Sequence, residues 1–398
     1  MRVDVEPVVI SGVGAVTGYG WGVDALWRGL LSHKSAARLH AGCGPAGSET
    51  GFAARVEEPV EPVPVDSTVE RTGLFQRSMS AAVDEAVADA RSRGFAPSGD
   101  RVGVIHAAIL GDVAATRDHL LRAGVGGSRG FLRSLPSTTT SVAITPHDFH
   151  GPVMNVGAAC ASGSAGVLTG KAWLDAGLVD HVVVVAVDHS VSPENVGGMI
   201  TLGAAVGDRD PLDACRPFQQ GSRGFVFGEA AVAMVLSRAN GGDGGYSRVR
   251  GGAMTYDAYH AVSIDPSHRQ IRRCVREALA TAGVTGRDVD WFHAHGPGTR
   301  QCDAAEIDVL ERELESVPAL FSVKQMVGHC QGASAALELV VSSMAYDRGS
   351  IPAPVPVAPG HPRLLPGPTP CAGGVTLKTA IGMGGHNAAV VLSGTGDR

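Results

Sequence analysis

Charged residues are sparse, at 18% of 398 positions, and aromatic residues are sparser still, at 5%. The net charge is −6 and no block of lysine and arginine occurs, which argues against nucleic acid as the main partner. The seven cysteines, at positions 43, 160, 215, 274, 302, 330 and 371, include no Cys-x-x-Cys pair, and their number is odd. Neither a disulfide framework nor a zinc site is therefore indicated, and a cytoplasmic, reducing setting is expected. No apolar run approaches a membrane span, and Met1-Arg2-Val3-Asp4-Val5-Glu6 does not read as a signal peptide. A dinucleotide fingerprint is also missing. Gly12-Val13-Gly14 lacks the third glycine at the right spacing, and no acidic residue follows a second strand.

Glycine, by contrast, is plentiful at 54 residues, and 44% of the chain is hydrophobic. Tight turns and a large core, or two fused domains, are expected. The periodicity predicts an α/β protein. A buried strand over 8–17 breaks into a glycine turn, an amphipathic helix covers 22–31, and residues 40–68 read as surface loop. A helix over 74–93 and a strand over 102–108 follow, then alternating helix and loop over 110–150. The nearly all-valine strand at 182–187 belongs to a sheet covered on both faces. Residues 225–236 read as one or two strands, interrupted at Gly228-Glu229-Ala230-Ala231. Asn240-Gly241-Gly242-Asp243-Gly244-Gly245 is the clearest linker. After it the pattern restarts: a strand at 247–254, a helix at 267–282, strands at 289–294 and 318–323, a helix at 330–347, and strands near 374–380 and 388–393. Two α/β halves, 1–240 and 241–398, suggest a duplication that sequence identity between them is too low to establish.

One stretch organises the first half: Asn155-Val156-Gly157-Ala158-Ala159-Cys160-Ala161-Ser162-Gly163-Ser164-Ala165-Gly166. It reads as a strand end passing into a helix that runs to about residue 176, with a cysteine at the joint. A thiol there meets free backbone N–H groups and the positive end of the helix dipole, both of which favour the thiolate. Gly163 and Gly166 are poor helix formers, so the helix is expected to be buried and held by packing. Alone, Cys160 reads as a small core residue; the rest of the chain changes that reading. The second half carries Phe292-His293-Ala294-His295-Gly296-Pro297-Gly298-Thr299 at a strand end, with Asp303 and Glu306 placed to pin the loop. It also carries Ser322-Val323-Lys324-Gln325-Met326-Val327-Gly328-His329 before a small-residue helix containing Glu338. Gly382-Met383-Gly384-Gly385-His386-Asn387 can turn backbone N–H groups toward a developing oxyanion. One cysteine, two histidines and such a loop suit acyl transfer through a thioester. A metal site from the same residues is disfavoured, because the histidines lack an i, i+4 pairing.

These motifs, in this order, together with residues 8–17, Arg216-Pro217-Phe218 and Gly224-Phe225-Val226-Phe227-Gly228-Glu229, resemble the β-ketoacyl synthases of the Cys-His-His type. The look is closest to the stand-alone ketosynthases of type II polyketide systems. The resemblance implies a thiolase fold, with two similar α/β halves in a five-layered αβαβα arrangement, usually dimeric. It implies that Cys160 takes an acyl group from a phosphopantetheine thioester. His295 and His329 would promote decarboxylation of malonyl carrier protein, with the N–H groups of Cys160 and Met383 as oxyanion hole. Lys324 and Glu338 would pair to order the site, and Thr299, Gly384 and Gly385 would contact substrate. No resident cofactor or metal is implied. The implied partners are an acyl carrier protein, docked by arginines such as Arg71, Arg77, Arg216 and Arg272, and a second chain, identical or related.

Several positions depart from the family pattern. Pro297 follows His295-Gly296, Met383 replaces a gating phenylalanine, and Gln219 and Ser222 stand where charged residues are usual. Cys302 and Cys330 flank the histidine motifs. Beside decarboxylative condensation, these departures leave open an acyltransferase or cyclase that uses Cys160 without decarboxylation. A non-catalytic subunit that shapes a partner's pocket is a third reading.

Overall fold

The structure is a computed structural model that describes residues 7–44, 50–59, 73–121, 132, 134–207, 210–239, 244–316 and 318–396. Its central feature is a repeat. In the first half, β1 (Val8–Thr17), β2 (Val102–Ala107), β3 (Val153–Val156), β4 (His181–Asp188) and β5 (Ala230–Arg238) lie in the order β3-β2-β4-β5-β1. In the second, β6 (Ser247–Tyr256), β7 (Val289–His293), β8 (Ala319–Phe321), β9 (Val375–Gly382) and β10 (His386–Ser393) lie in the order β8-β7-β9-β10-β6. In each half two parallel pairings are followed by two antiparallel ones. The duplication is thus visible in topology although the side chains have diverged. β1 and β6 pair antiparallel at Val9↔Arg248 and Ile10↔Ser247, which joins the two sheets.

Strand alternation builds the layers. Val182, Val184 and Ala186 of β4 face a central core with α2 (Ser162–Asp175) and α6 (Ser334–Arg348). Val183, Val185 and Val187 face an outer core with α1 (Leu74–Ser92). This is the period-2 pattern of a strand buried on both faces. On the far sheet, α4 (Arg269–Ala282) and α5 (Arg300–Arg312) cover the outer face. The remaining helix used below is α3 (Pro193–Thr201). The result is five layers, helix–sheet–helix–sheet–helix, with α2 and α6 in the middle.

The two middle helices cross closely because α2 begins with small residues. A Cβ at Gly163 would lie 2.2 Å from the backbone nitrogen of Ala336. Glycine's poor helix propensity is outweighed here by burial, as the sequence implied.

One expectation fails. Within 40–68, Thr50–Ala54 is not loop: it pairs with Arg38–Ala41 and with Phe227–Gly228 in a small sheet, and Ala53 and Ala54 are fully buried. One partner, Arg38–Ala41, is a hairpin neighbour, but the other, Phe227–Gly228, lies far away in the chain. Residues 45–49 and 60–68 of that segment, much of 122–133 and linker residues 240–243 lie outside the described residues. The predicted break near Gly228 is real: strand pairing stops at Glu229, whose buried carboxylate accepts the N–H groups of Val56 (3.1 Å) and Val191 (3.2 Å). No helix among the described residues is long and apolar enough to cross a membrane.

Candidate active site

Cys160 sits on a sharp turn between β3 and α2. Ala159 before it holds φ +48°, an uncommon backbone for a residue with a side chain. Ser162 secures the turn: its Oγ accepts the Ala158 N–H at 2.9 Å and donates to the Ala159 carbonyl at 2.7 Å. The turn between β9 and β10 comes down on the same spot. Gly382 permits this, since a Cβ there would lie 2.8 Å from the Ala158 oxygen and 3.2 Å from the Cys160 nitrogen. The Met383 N–H consequently reaches the Cys160 sulfur.

Both histidines arrive at that sulfur. His329 Nε2 is 3.2 Å from Cys160 Sγ, and its Nδ1 is 2.8 Å from Ser334 Oγ at the start of α6. The Phe225 ring stands edge-on to the His329 imidazole at 4.7 Å. One ring nitrogen each of His295 and His329 and the Cys160 sulfur all lie within 4.8 Å of one another. By distance alone this trio would also accept a cation, which the sequence argument disfavoured; the Lys324 ammonium, 3.3 Å from His295 Nδ1, opposes one.

The loop carrying His295 is tied down as Asp303 and Glu306 suggested. The Glu306 carboxylate accepts the N–H groups of His295 (2.6 Å) and Gly296 (2.7 Å) and the Thr379 hydroxyl (2.6 Å). Asp303 accepts the N–H of Phe218 at 2.8 Å and of Gly298 at 3.2 Å. Pro297 sits between these anchors, and its carbonyl accepts from the Cys215 thiol at 3.6 Å. Gln219 and Ser222 replace ionic ties with neutral ones. Gln219 donates to Gln325 Oε1 at 3.2 Å and accepts the N–H groups of Val357 (2.8 Å) and Ala358 (3.1 Å). Ser222 donates to the Gly298 carbonyl at 2.8 Å.

Behind the histidines lies a buried ionic group. Lys324 is paired with Glu338 and also donates to the His295 carbonyl at 2.6 Å. Sequence reading missed the third member: Lys378 on β9 reaches Glu338 Oε2 at 2.9 Å and is fully buried. Its signal was a lysine in the apolar run Val375-Thr376-Leu377-Lys378-Thr379-Ala380-Ile381. Two cations share this one anion, and the buried Glu306 carboxyl also faces Lys378.

Burial dominates the electrostatics. It pushes the Cys160 thiol up to about 11, against the pull of Lys324 and the Met383 N–H. The helix terminus favours the thiolate, as expected, but burial outweighs it. Burial, reinforced by Lys324, holds both imidazoles well below the usual histidine range, so both are neutral. An ammonium can only donate, so His295 Nδ1 accepts from Lys324 and the ring proton lies on Nε2.

Two cavities meet at Cys160. The outer, about 360 Å³, is lined by Thr299, Cys302, Gly385 and both histidines; the inner, about 740 Å³, runs past Phe227 toward α3. Cys160, Leu202 and Met383 line both, which places Met383 at the partition. Gly384 lies beside His386 in the turn rather than on either wall. Cys302 faces the outer cavity, with burial raising its thiol, and Cys330 packs against Gly228.

A buried thiol, two neutral imidazoles and converging backbone N–H groups, on a duplicated five-layer scaffold, define a thiol-dependent acyltransferase of the thiolase-fold class. Comparison with known proteins is consistent with this. Residues 5–241 match the N-terminal domain of β-ketoacyl synthases and residues 246–358 the C-terminal domain, so the chain belongs to that family. The tetracenomycin polyketide synthase ketoacyl synthase alpha subunit of Streptomyces glaucescens is 29% identical over 368 residues, covering 87% of this chain and 86% of that one. The 3-oxoacyl-[acyl-carrier-protein] synthase 2 of Coxiella burnetii is 25% identical over 411 residues, covering 97% and 98%. A type II polyketide ketosynthase, solved with its acyl-carrier protein and bound to the hexaketide, superposes with a TM-score of 0.84 at 22% identity, covering 98% of this chain and 99% of that one.

Proposed function

We propose that this chain is a decarboxylating condensing enzyme that adds two carbons to a thioester-bound acyl chain in polyketide or fatty-acid-type biosynthesis. The observation that carries the reading is the approach of His329 Nε2 to within 3.2 Å of a cysteine sulfur that also receives the Met383 N–H. Cys160 Sγ attacks an acyl phosphopantetheine thioester while His329 accepts its proton, and the carrier thiol leaves. The N–H groups of Cys160 and Met383 hold the tetrahedral oxyanion. Malonyl carrier protein then enters, carbon dioxide departs, and the enolate oxygen accepts the Nε2–H of His295 and that of His329, whose ring proton has moved from Nδ1 to Nε2 with Ser334 Oγ now donating to Nδ1. The Lys324 ammonium, 3.3 Å from His295 Nδ1, favours that anion through the ring. The enolate carbon attacks the acyl-Cys160 carbonyl, the thiolate is expelled, and it recovers a proton from solvent, the one proton that the overall condensation consumes.

Thr299 and Gly385 contact the phosphopantetheine arm in the outer cavity; a contact from Gly384 is the least supported of the three. The two halves, 1–240 and 241–398, act as one unit, the first giving the nucleophile and the second the histidines and oxyanion turn. The substrates are carrier-borne, so an acyl carrier protein is the partner, and the active form is a dimer with an identical or related chain. Among the named arginines, Arg71 lies outside the described residues. Arg77, Arg216 and Arg272 are paired with Glu58, Asp213 and Asp308 of this chain, so docking through them must compete with those pairs. Free cysteines throughout support a cytosolic setting.

The test is intact-protein mass spectrometry of the protein and a Cys160→Ala control, with acyl carrier thioesters and then malonyl carrier protein. An adduct absent from the control and discharged by malonyl into a β-keto product is expected. An adduct that malonyl cannot discharge would replace condensation by transfer or cyclisation. No adduct with any donor would leave the non-catalytic subunit.

A further inference from the structure

We propose that Arg300 holds the phosphate of the phosphopantetheine arm where the outer cavity opens to solvent. The inference rests on the condensing reading above, since it concerns the thioester donor that reaches Cys160. Among the described residues that line the outer cavity, Arg300 alone carries a charge. No aspartate, glutamate or lysine lines it, and both imidazoles there are neutral. Arg300 is exposed, and it also lines a shallow surface groove of about 390 Å³ beside Gln220, Ser222 and Pro359. A side chain shared by the cavity and the outer groove stands at the mouth.

No carboxylate claims that guanidinium. Arg77, Arg216 and Arg272 are each paired with an acid, whereas the Arg300 side chain has neither an ion pair nor a hydrogen bond among the described residues. Asp303, one turn along α5, spends one oxygen on the Phe218 N–H and the other on the Gly298 N–H. Gln301 is engaged as well: its Oε1 accepts the N–H of Ile264, which lines the same cavity, at 3.4 Å. The chemistry of the donor decides what the free cation meets. Cys160 and the two histidines fix where the thioester must lie, and Thr299 and Ser263 offer hydroxyl groups along the way. A phosphopantetheine arm carries its phosphate at the end remote from the sulfur, so threading the thioester to Cys160 leaves the phosphate at the mouth. A malonyl carboxylate sits at the thioester end and stays inside. A guanidinium can take two phosphate oxygens at once, in a fork that an ammonium lacks.

The test compares second-order rates of Cys160 acylation, read by intact mass, from hexanoyl-pantetheine and hexanoyl-phosphopantetheine. The wild-type protein should load the phosphorylated donor about tenfold faster at low salt, the lower end of what a hydrogen bond to a charged group contributes. The ratio within one protein cancels any change common to both donors. It should fall toward one in Arg300→Gln, return in part in Arg300→Lys, and drop below one in Arg300→Glu. Hexanoyl-CoA and a hexanoyl type II acyl carrier protein present the same phosphate in two settings. Slower loading from the carrier in Arg300→Gln is expected, and a loss confined to hexanoyl-CoA would overturn the carrier as its source. Equal rates in the wild type, or a ratio unchanged in Arg300→Gln, overturns the inference and leaves the condensing reading standing. Absence of every adduct overturns the condensing reading and this inference with it.

Discussion

Alkylation of Cys160 as a function of pH separates two physical arguments that point in opposite directions. The helix N-terminus and the Lys324 ammonium favour thiolate; removal of the sulfur from water disfavours it, and the balance places the thiol at about 11. A free cysteine, with a pKa of about 8.5, is roughly 10% thiolate at pH 7.5, whereas a group at ~11 is ~0.03% thiolate. Since the thiolate is the reacting species, iodoacetamide should modify Cys160 a few hundred times more slowly than a free thiol at that pH, before any steric barrier. The rate should climb about tenfold per pH unit to roughly pH 10 without levelling off. Intact mass against the Cys160→Ala protein isolates this site from Cys302, the half-buried thiol in the outer cavity. Lys324→Met should push the profile further up, since Lys324 is the largest influence pulling the thiol down. A plateau reached by about pH 8 would refute the argument and restore the helix terminus as the dominant effect.

Three further outcomes follow from the structure. Glu338→Leu leaves the buried ammonium groups of Lys324 and Lys378 without their shared carboxylate, and urea unfolding should show a loss of ~3–5 kcal/mol; a loss under ~1 kcal/mol would mean that the ionic group is not as drawn. A Cβ at Gly198 on α3 meets nothing within 4 Å at the inner cavity, so Gly198→Leu should fold normally yet shorten the acyl chains loaded. Each methylene beyond the new limit should cost ~10-fold in loading rate, and an unchanged chain-length profile would show that the acyl chain lies elsewhere. Burial raises the Glu229 carboxyl to about 7, above its value of ~4.3 in the unfolded chain. Its stabilisation is therefore complete below ~4.3 and lost progressively as pH rises to about 7, so Tm should fall between about pH 4 and pH 7 and level off above, less steeply in Glu229→Gln; a flat Tm would contradict the assignment.

Much of this was legible in the sequence, for identifiable reasons. The valine strand over 182–187 and the helix of 74–93 carry strong local periodicity, and both appear within a residue or two. Cys160, His295 and His329 were marked by glycine-rich turns at element ends, where the chain must bend sharply whatever its partners. What escaped depends on partners far apart in the chain. Thr50–Ala54 pairs with Phe227–Gly228, and Lys378 meets Glu338 across two layers. The predicted strand at 318–323 stops at Phe321, and a short helix, Lys324–Val327, turns Lys324 toward His295. The departures at Gln219 and Ser222 looked like lost charge pairing because a motif shows which ion is missing and not which amide has replaced it.

Burial acts on the two kinds of catalytic group in opposite directions, and the outcome favours the proposed chemistry. It raises the thiol and lowers the imidazoles, so a thiolate–imidazolium pair is disfavoured at rest. An imidazolium would be a poor receiver of the Cys160 proton, whereas a neutral His329 can take it as the sulfur attacks. The same neutrality leaves each ring an N–H to offer the enolate. The charge that anion needs comes instead from lysines held behind the rings by Glu338, where they bias the site without touching the reacting carbon. Loss of Lys378 should therefore slow decarboxylation more than acyl loading, because the enolate oxygen lies against the two rings that the lysines stand behind, whereas the tetrahedral oxyanion of loading is held by the N–H groups of Cys160 and Met383. Single-turnover rates of the two steps in Lys378→Met would check this, and an equal effect on both would place Lys378 in scaffold packing.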